Sequence, residues 1–161
     1  MSDVRTEIYN TYKKDIFSYF YKAILNYHNA EDLTEDTFLR AFKFFSSFRG
    51  ESSVKTWLFI IARNVLNDYL LKNSSKIEEI DENTHEDISN AYNKLEDKLL
   101  IKKIMYKLLE EERTLIILRD VNGLSYLEIT KIMSFTEGQV KIGIHRARKK
   151  FKELYLKEME V

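Results

Sequence analysis

The stretch GLSYLEITKIMSFTEGQVKIGIHRARKK, residues 123–150, contains two helix starts in quick succession and then becomes strongly basic. Ser125 is followed three residues later by Glu128, and Thr136 is followed three residues later by Gln139. This is the spacing of a capping box, in which the hydroxyl and the later side chain each accept from the other residue's amide. The stretch therefore predicts a short helix, a tight turn and a longer helix.

These elements together predict a helix-turn-helix, whose second helix lies in the major groove of DNA. Between Gly138 and Lys152 the second helix carries several bases and no acid, which is the charge pattern of a surface that contacts phosphates. A basic helix end stabilised by the helix dipole is the simpler alternative. The two capping boxes in front of the basic helix favour DNA binding. The bases are Lys141, Arg146, Arg148, Lys149, Lys150 and Lys152.

Composition limits the kinds of protein that this chain can be. Its 161 residues suffice for one domain or two small ones, with 44% apolar and 32% charged residues, as in ordinary globular proteins. The absence of cysteine excludes disulfides, thiolate catalysis and thiolate metal sites, and fits a cytoplasmic location. The longest apolar run, residues 57–62, is far too short to span a membrane, and we expect no membrane insertion and no signal peptide.

The distribution of charge and of helix breakers predicts the domain organisation. The chain has no net charge, yet residues 73–90 hold six acids and a single base. There is no proline and there are only four glycines, which favours an all-helical chain. We predict an all-α protein with two small helical domains, residues 1–72 and 91–161, joined by a flexible acidic linker, residues 73–90.

Apolar periodicity predicts further helices over about 5–27, 30–46, 54–72, 91–109 and 111–121. Asn29 is the expected N-cap of the second helix. Four acids would then fall in its first turns, where the helix dipole favours anions, namely Glu31, Asp32, Glu35 and Asp36. Trp57 lies on the apolar stripe of the third helix and is assigned to the core, whereas the amide of Asn64 at the edge of that stripe is harder to explain by packing.

Two parts of the chain resemble a known family. The run AEDLTEDTFLRAFKFFSSFRGESSVKTWLFIIARNVLNDYL, residues 30–70, is similar to the promoter-melting domain of extracytoplasmic-function sigma factors, the small initiation subunits of bacterial RNA polymerase. LRDVNGLSYLEITKIM, residues 118–133, followed by GQVKIGIHRARKK, residues 138–150, is similar to the domain that reads their minus-thirty-five element. The resemblance implies a transcription initiation factor that has no enzymatic activity and needs no cofactor. It further implies core polymerase, promoter DNA and an anti-sigma factor as partners.

The resemblance also implies a role for particular residues. The family docks the acidic start of the second helix on the clamp helices of the largest polymerase subunit; the matching residues are Asp32, Glu35, Asp36, Leu39 and Arg40. An unstacked minus-ten base enters a pocket between a loop and the next helix; the matching residues are Phe48, Arg49, Gly50, Ser52, Lys55, Ile61, Asn64 and Asp68. Phosphates of the strand would be held by Lys55, Arg63 and Lys72. The minus-thirty-five duplex would be read by Lys141, Ile142, His145, Arg146, Arg148 and Lys149.

The chain departs from the family pattern at several of these positions. Ile60 stands where many members carry arginine, and Ile142 and Gly143 stand where serine and arginine are usual. Gly143 costs roughly 1 kcal/mol relative to alanine inside a helix, and close approach to DNA is one explanation for it. The carboxylate of Asp68 would repel phosphate, so we expect it to orient a neighbouring basic or polar side chain.

Two other classes of protein compete with this interpretation. A stand-alone helix-turn-helix regulator would explain residues 111–152 but leaves the loop and helix at residues 47–70 unexplained. A helical metal hydrolase could use His28, Glu31 and Asp32, which share a helix face. Since the other two histidines, His85 and His145, lie in the linker and in the basic helix, we expect no metal site.

Overall fold

A computed structural model describes residues 3–73 and 92–160, and every regular element within these ranges is helical. The all-α prediction is therefore confirmed. The predicted linker, residues 73–90, lies outside the described residues except for its first position. The helices are α1 (Val4–Ile24), α2 (Tyr27–Lys43), α3 (Val54–Lys72), α4 (Tyr92–Lys107), α5 (Glu110–Ile116), α6 (Tyr126–Met133) and α7 (Glu137–Met159).

The junction between α1 and α2 differs from the prediction. Leu25 ends α1 in the left-handed conformation, with φ of 57°, and is buried to 2% exposure. Asn26, and not Asn29, caps α2, because its side-chain oxygen accepts a hydrogen bond from the Asn29 amide at 3.0 Å. The left-handed Leu25 turns its side chain into the core and ends α1 at Ile24, although the apolar periodicity predicts a helix to residue 27. The next helix therefore begins at Tyr27, three residues before its predicted start. Asn29 lies inside α2 and donates instead to the hydroxyl of Tyr69 at 3.0 Å.

The earlier start of α2 changes the explanation of its acids. The helix begins at Tyr27, so none of the four acids lies in the first turn, and that part of the prediction is wrong. The interaction with the helix dipole falls off within the first turn, so capping does not account for them. All four carboxylates are exposed, namely those of Glu31, Asp32, Glu35 and Asp36.

The helix-turn-helix forms as predicted. The Ser125 hydroxyl accepts from the Glu128 amide at 3.1 Å and the Glu128 carboxylate accepts from the Ser125 amide at 3.3 Å. Thr136 and Gln139 make the second capping box, with distances of 3.1 and 2.9 Å. Ser134 adopts a left-handed conformation, with φ of 58°, and so turns the chain between α6 and α7. Gln139 is therefore committed to capping.

The predicted helix over 111–121 forms in two parts. Its start is capped by Glu112, whose carboxylate accepts from the Leu109 amide at 2.9 Å. After α5 the chain continues as a π-helical segment, Ile117–Val121, and Gly123 then takes φ of 69°, which a side chain rarely tolerates.

The two halves of the described chain, residues 3–73 and 92–160, pack against each other. Helix α3 contacts α6, and α1 contacts α4, α5 and the π-helical segment. Buried apolar side chains from both halves form a single cluster. Backbone carbonyls of one half are satisfied by side chains of the other, since Arg113 donates to the Ala23 carbonyl at 2.7 Å and Asn122 to the Asp15 carbonyl at 3.2 Å. The sequence does not predict this contact.

Candidate nucleic-acid interface

An open cavity of about 600 Å³ lies between the loop that joins α2 to α3 and the first turns of α3. The loop begins with a short 3-10 turn, Phe45–Ser47, and Gly50 holds φ of 72°. Ser53 then caps α3 by accepting from the Thr56 amide at 3.1 Å. The lining residues are Ser47, Phe48, Arg49, Glu51, Ser52, Trp57, Ile60 and Lys131.

Aromatic rings form one wall of this cavity. The ring centroids of Phe48 and Trp57 are 4.9 Å apart with an interplanar angle of 37°, and Phe45 meets Trp57 edge-on at 6.2 Å. Trp57 is half-buried, so it packs on the core, as its place on the apolar stripe indicates, and also lines the cavity. Aromatic rings offer apolar faces of the kind on which a nucleic-acid base stacks.

The predicted minus-ten residues divide into two groups. Phe48, Arg49 and Ser52 line the cavity, with Gly50 in the same loop. The others lie along α3, where Asn64 is exposed and Ile61 is half-buried. Asn64 follows Ile60 by four residues, so it lies on the same helix face one turn beyond the cavity.

Asp68 extends the same face and contacts a basic side chain. Arg40 donates to the Asp68 carboxylate at 3.1 Å, which matches the expectation that Asp68 orients a neighbour. Both side chains are about half exposed, at 42% and 53%, so the pair contributes little to stability. Its effect is to hold Arg40, a predicted polymerase contact, beside α3.

Two of the three predicted phosphate-holding bases on α3 contact the other half of the protein. Arg63 makes a bidentate ion pair with Glu110 and also donates to the Thr114 hydroxyl at 3.3 Å. Lys55 reaches the Asn122 carbonyl at 3.5 Å. The third base, Lys72, is exposed at the end of the helix.

Burial sets the electrostatics around Arg63. Burial lowers the pKa of Arg63, but hydrogen bonding and charge from Glu110 outweigh this, so its pKa lies above the ordinary value. The Tyr19 side chain beneath it is fully buried, and burial raises the pKa of its phenol. Arg63 therefore stays charged and attached to Glu110 in this arrangement.

All six predicted minus-thirty-five residues on α7 are exposed. Arg148 forms a bidentate ion pair with Asp120 of the π-helical segment, and this hydrogen bonding raises the pKa of Arg148. Lys141 pairs with Glu137 one turn earlier at 3.3 Å. Ile142 keeps 53% of its surface exposed. The face is thus preformed, with one arginine held by an acid.

Packing within the protein explains Gly143. A Cβ atom placed on Gly143 would lie 2.7 Å from Cδ1 of Leu115, closer than real Cβ atoms approach other atoms. Leu115 belongs to α5 and is 1% exposed. The glycine therefore allows α7 to approach α5, and close approach to DNA is not needed to account for it.

The predicted polymerase-binding residues on α2 form an exposed patch. Asp32, Glu35, Asp36 and Leu39 are exposed, and Leu39 keeps 67% of its surface accessible. Tyr9 donates its hydroxyl to the Glu35 carboxylate at 2.8 Å, which fixes that side chain. An exposed leucine rimmed by carboxylates is suited to a protein surface that offers an apolar pocket and bases.

Neither a metal centre nor a membrane span is found in the part of the chain that is described. Within residues 3–73 and 92–160, no three His, Asp or Glu side chains come together as a metal site would require. His28 is near Tyr27, with ring centroids 6.1 Å apart. Among the described helices, none combines the length and apolar character needed to cross a membrane.

Sequence reasoning did not name Ser47 or Glu51 as cavity residues, treated Ile60 only as a departure from the family pattern, and missed the second role of Trp57. The spacing of three between Trp57 and Ile60 places both on one helix face, and this signal could have identified Ile60. No local signal could identify Lys131, because it reaches the cavity from α6 in the other half.

Two family models match the chain in the order that the sequence predicts. The model described as Sigma-70 region 2 matches residues 8–76, and the one described as Sigma-70, region 4 matches residues 98–151. Together they cover most of the chain. The loop and α3 residues of the candidate minus-ten cavity lie in the first match, and Lys131 and the predicted minus-thirty-five residues of α7 lie in the second.

Curated proteins and solved structures give the same result. The chain is 32% identical over 153 residues to the ECF RNA polymerase sigma factor SigM of Bacillus subtilis, covering 92% of this chain and 93% of that protein. It is 29% identical over 161 residues to the RNA polymerase sigma factor YlaC of the same organism, covering 96% and 93%.

Among solved structures, the sigma factor RpoE in complex with the anti-sigma factor NepR from Bartonella quintana matches with a TM-score of 0.77 and 25% identity, covering 92% of this chain and 94% of that one. CnrH in complex with the cytosolic domain of CnrY matches with a TM-score of 0.71, covering 93% and 86%; at 19% identity this match supports the fold alone.

Proposed function

Since this chain belongs to the extracytoplasmic-function sigma factors, the initiation factors that direct bacterial RNA polymerase to promoters, we propose that its two halves divide that task. A domain of residues 1–72 binds core polymerase and the separated minus-ten strand. A domain of residues 91–161 binds the minus-thirty-five duplex, and residues 73–90 link the two. The protein works in the cytoplasm and has no chemistry of its own.

The minus-ten site acts by capturing one unstacked base. Removing a base from the stack costs a few kcal/mol, and stacking it on an aromatic ring returns about 1–3 kcal/mol. Phe48 and Trp57 supply the stacking wall, and Ser52 and Asn64 supply hydrogen bonds to the base edge. Lys55, Arg63 and Lys72 hold the phosphates of the strand. Wall and phosphate contacts together favour the open strand over the closed duplex.

The minus-thirty-five site reads the duplex with the first half of α7. Lys141 donates to guanine acceptors, Ile142 packs on a thymine methyl group, and His145 contacts the groove beside them. Arg146, Arg148 and Lys149 bind the phosphates on either side. Asp120 holds Arg148 in place, so this arginine loses less freedom on binding.

The exposed patch on α2 docks on the polymerase. Its members are Asp32, Glu35, Asp36, Leu39 and Arg40, and they face the clamp helices of the largest subunit. An anti-sigma factor controls the protein by covering these surfaces. The match to a sigma factor solved with its anti-sigma factor supports this, because that match extends over 92% of the chain and so over both halves.

One observation carries the proposal: a single chain combines a cavity with an aromatic wall and an exposed basic recognition helix, each inside the matching family region. A stand-alone regulator needs the second feature but has no use for the first.

Transcription in vitro with core polymerase and a library of DNA fragments tests the proposal. We expect discrete start sites that share two upstream elements and that disappear when the protein is omitted. The Phe48→Ala variant should lose those starts, and Phe44→Ala, an exposed aromatic outside the cavity lining, should keep them. Start sites identical to those of core polymerase alone would contradict the proposal.

A further inference from the structure

We propose that the C-terminal half is a built-in competitor of the promoter strand, because its Glu110 carboxylate and Asn122 carbonyl engage Arg63 and Lys55, two of the α3 bases that would hold that strand. The inference rests on the proposed function of α3. It adds that the protein restrains its own strand-binding site through contacts within one chain, without any inhibitor.

The ion pair between Arg63 and Glu110 is the central contact. The guanidinium meets both carboxylate oxygens, and Thr114 accepts from the same guanidinium and donates to Glu110 at 2.9 Å. The Arg63 side chain keeps only 14% of its surface exposed and that of Glu110 keeps 35%. A carboxylate with two oxygens facing a guanidinium is the same arrangement that a phosphate makes with arginine. Glu110 therefore satisfies Arg63 as a strand phosphate would.

A second acid makes a parallel contact at the start of α3. Glu128, whose one oxygen closes the capping box of α6, accepts with the other from the Thr56 hydroxyl at 3.3 Å. The neighbouring residue of α3, Lys55, donates to the Asn122 carbonyl of the C-terminal half. The C-terminal half thus offers acceptors to α3 at Lys55, Thr56 and Arg63, along the length of the helix that faces it.

The cavity itself is also approached from the C-terminal half. Lys131 of α6 lines it and donates to the Glu51 carbonyl at 3.4 Å. Glu51 belongs to the loop that also carries Phe48 and Ser52, so the contact fixes that loop from outside. A strand entering the cavity would meet α6 on one side.

Geometry requires this arrangement to open during initiation. Elements centred near minus ten and minus thirty-five lie about 25 base pairs apart, roughly 85 Å of B-form DNA at about 3.4 Å per base pair. In the structure α3 is packed directly on α6, so the two DNA-binding surfaces belong to one compact unit. Residues 74–91, the part of the chain between the described ranges, can span at most about 60 Å, which permits the halves to separate.

The restraint is asymmetric. Arg148 and Lys141 pair with Asp120 and Glu137 of their own half and stay exposed, whereas Arg63 and Lys55 are half-buried in contacts between the two halves. The closed protein is therefore competent for duplex binding and restrained only in strand binding. Weakening the contact should raise affinity for single-stranded DNA and leave affinity for duplex unchanged.

The test uses the full chain with Glu110→Gln, and Glu110→Ala as a second variant. Glu111→Gln is the matched control, because it removes the same charge from the neighbouring, exposed position. Since the chain has no cysteine, dyes can be placed on Asn10→Cys and Lys157→Cys, one exposed position in each half, to follow opening by energy transfer. Binding is measured with a fluorescent mixed-sequence single strand and with its duplex.

We expect both Glu110 variants to lower energy transfer and to tighten single-strand binding at least about fivefold, with duplex affinity unchanged. The Glu111→Gln variant should change either affinity by less than about twofold, as expected of a surface substitution. Unchanged energy transfer, or opening without tighter strand binding, would overturn the inference. If the wild-type protein fails to direct core polymerase in the library assay, it is the proposed function that fails. The transcription assay thus tests the proposed function, and the binding and energy-transfer assays test the restraint.

Discussion

Replacing Gly143 with alanine tests why a glycine lies inside the recognition helix. The new Cβ would lie 2.7 Å from Cδ1 of Leu115, well inside van der Waals contact. Leu115 is 1% exposed and belongs to α5, which contacts α7, so its side chain cannot move aside into solvent. We expect Gly143→Ala to push Leu115 off its preferred rotamer or to move α7 away from α5.

Two effects of opposite sign determine the change in stability. Overpacking a filled core costs about 1–3 kcal/mol, whereas alanine gains about 1 kcal/mol over glycine in a helix interior. The difference leaves Gly143→Ala less stable by about 1 kcal/mol, within a range of about 0–2 kcal/mol. For a chain of this length, a loss of about 1 kcal/mol corresponds to a fall in Tm of about 2–4 °C.

Urea denaturation followed by circular dichroism measures this difference. Gly138→Ala is the control, because it lies in the same helix and no other atom lies within 4 Å of its Cβ position. We expect that control to be neutral or stabilising by up to about 1 kcal/mol. Combining Gly143→Ala with Leu115→Ala should remove the cost of the first substitution, because the clashing atom is then gone.

The reasoning would be refuted by a stabilised Gly143→Ala variant. If the alanine stabilises the protein as Gly138→Ala does and weakens binding to duplex DNA, the glycine serves approach to DNA and not helix packing. The change in stability, measured together with duplex binding, therefore separates the two explanations.

Three further predictions follow from individual contacts. Arg113→Lys should lower the free energy of unfolding by about 2–4 kcal/mol, because a lysine cannot hold the carbonyls of Ala23, Met105, Tyr106 and Leu108 that the guanidinium contacts at 2.7–3.2 Å; a loss as small as that of the exposed Arg49→Lys would contradict this. Replacing Arg146 and Arg148 together with alanine should weaken duplex binding and reduce the slope of log affinity against log salt by about 2, as measured by fluorescence anisotropy, with Lys157→Ala as the control. An unchanged slope would rule out phosphate contacts by this pair. Asn64→Ala should impair open-complex formation more than initial duplex binding, as followed by permanganate reactivity of unpaired thymines, and an equal loss in both steps would refute its role at the base pocket.

Features encoded within one or two helical turns were predictable from the sequence. Both capping boxes of the helix-turn-helix, the start of α3 at Val54 and the basic face of α7 depend on residues a few positions apart, and the structure reproduces them. The Asn29 cap was wrong because Leu25, by turning into the core, moved the start of α2. The phosphate contacts, base pocket and polymerase patch remain predictions, since a chain without its partners places these residues but does not test what they bind.

The amino-acid order by itself determined most of the helices, the caps of the helix-turn-helix, and the acidic centre and basic end of the chain, because these depend on local hydrogen bonds, apolar periodicity and charge. The family was indicated by the resemblance of two stretches to known members. Tertiary structure alone decided that Leu115 requires a glycine at 143, that Glu110 engages Arg63 and that Lys131 borders the cavity. Each of these contacts joins residues 28 to 80 positions apart in sequence. Such pairs meet only when the helices pack on one shared core, and no local pattern records which faces will meet.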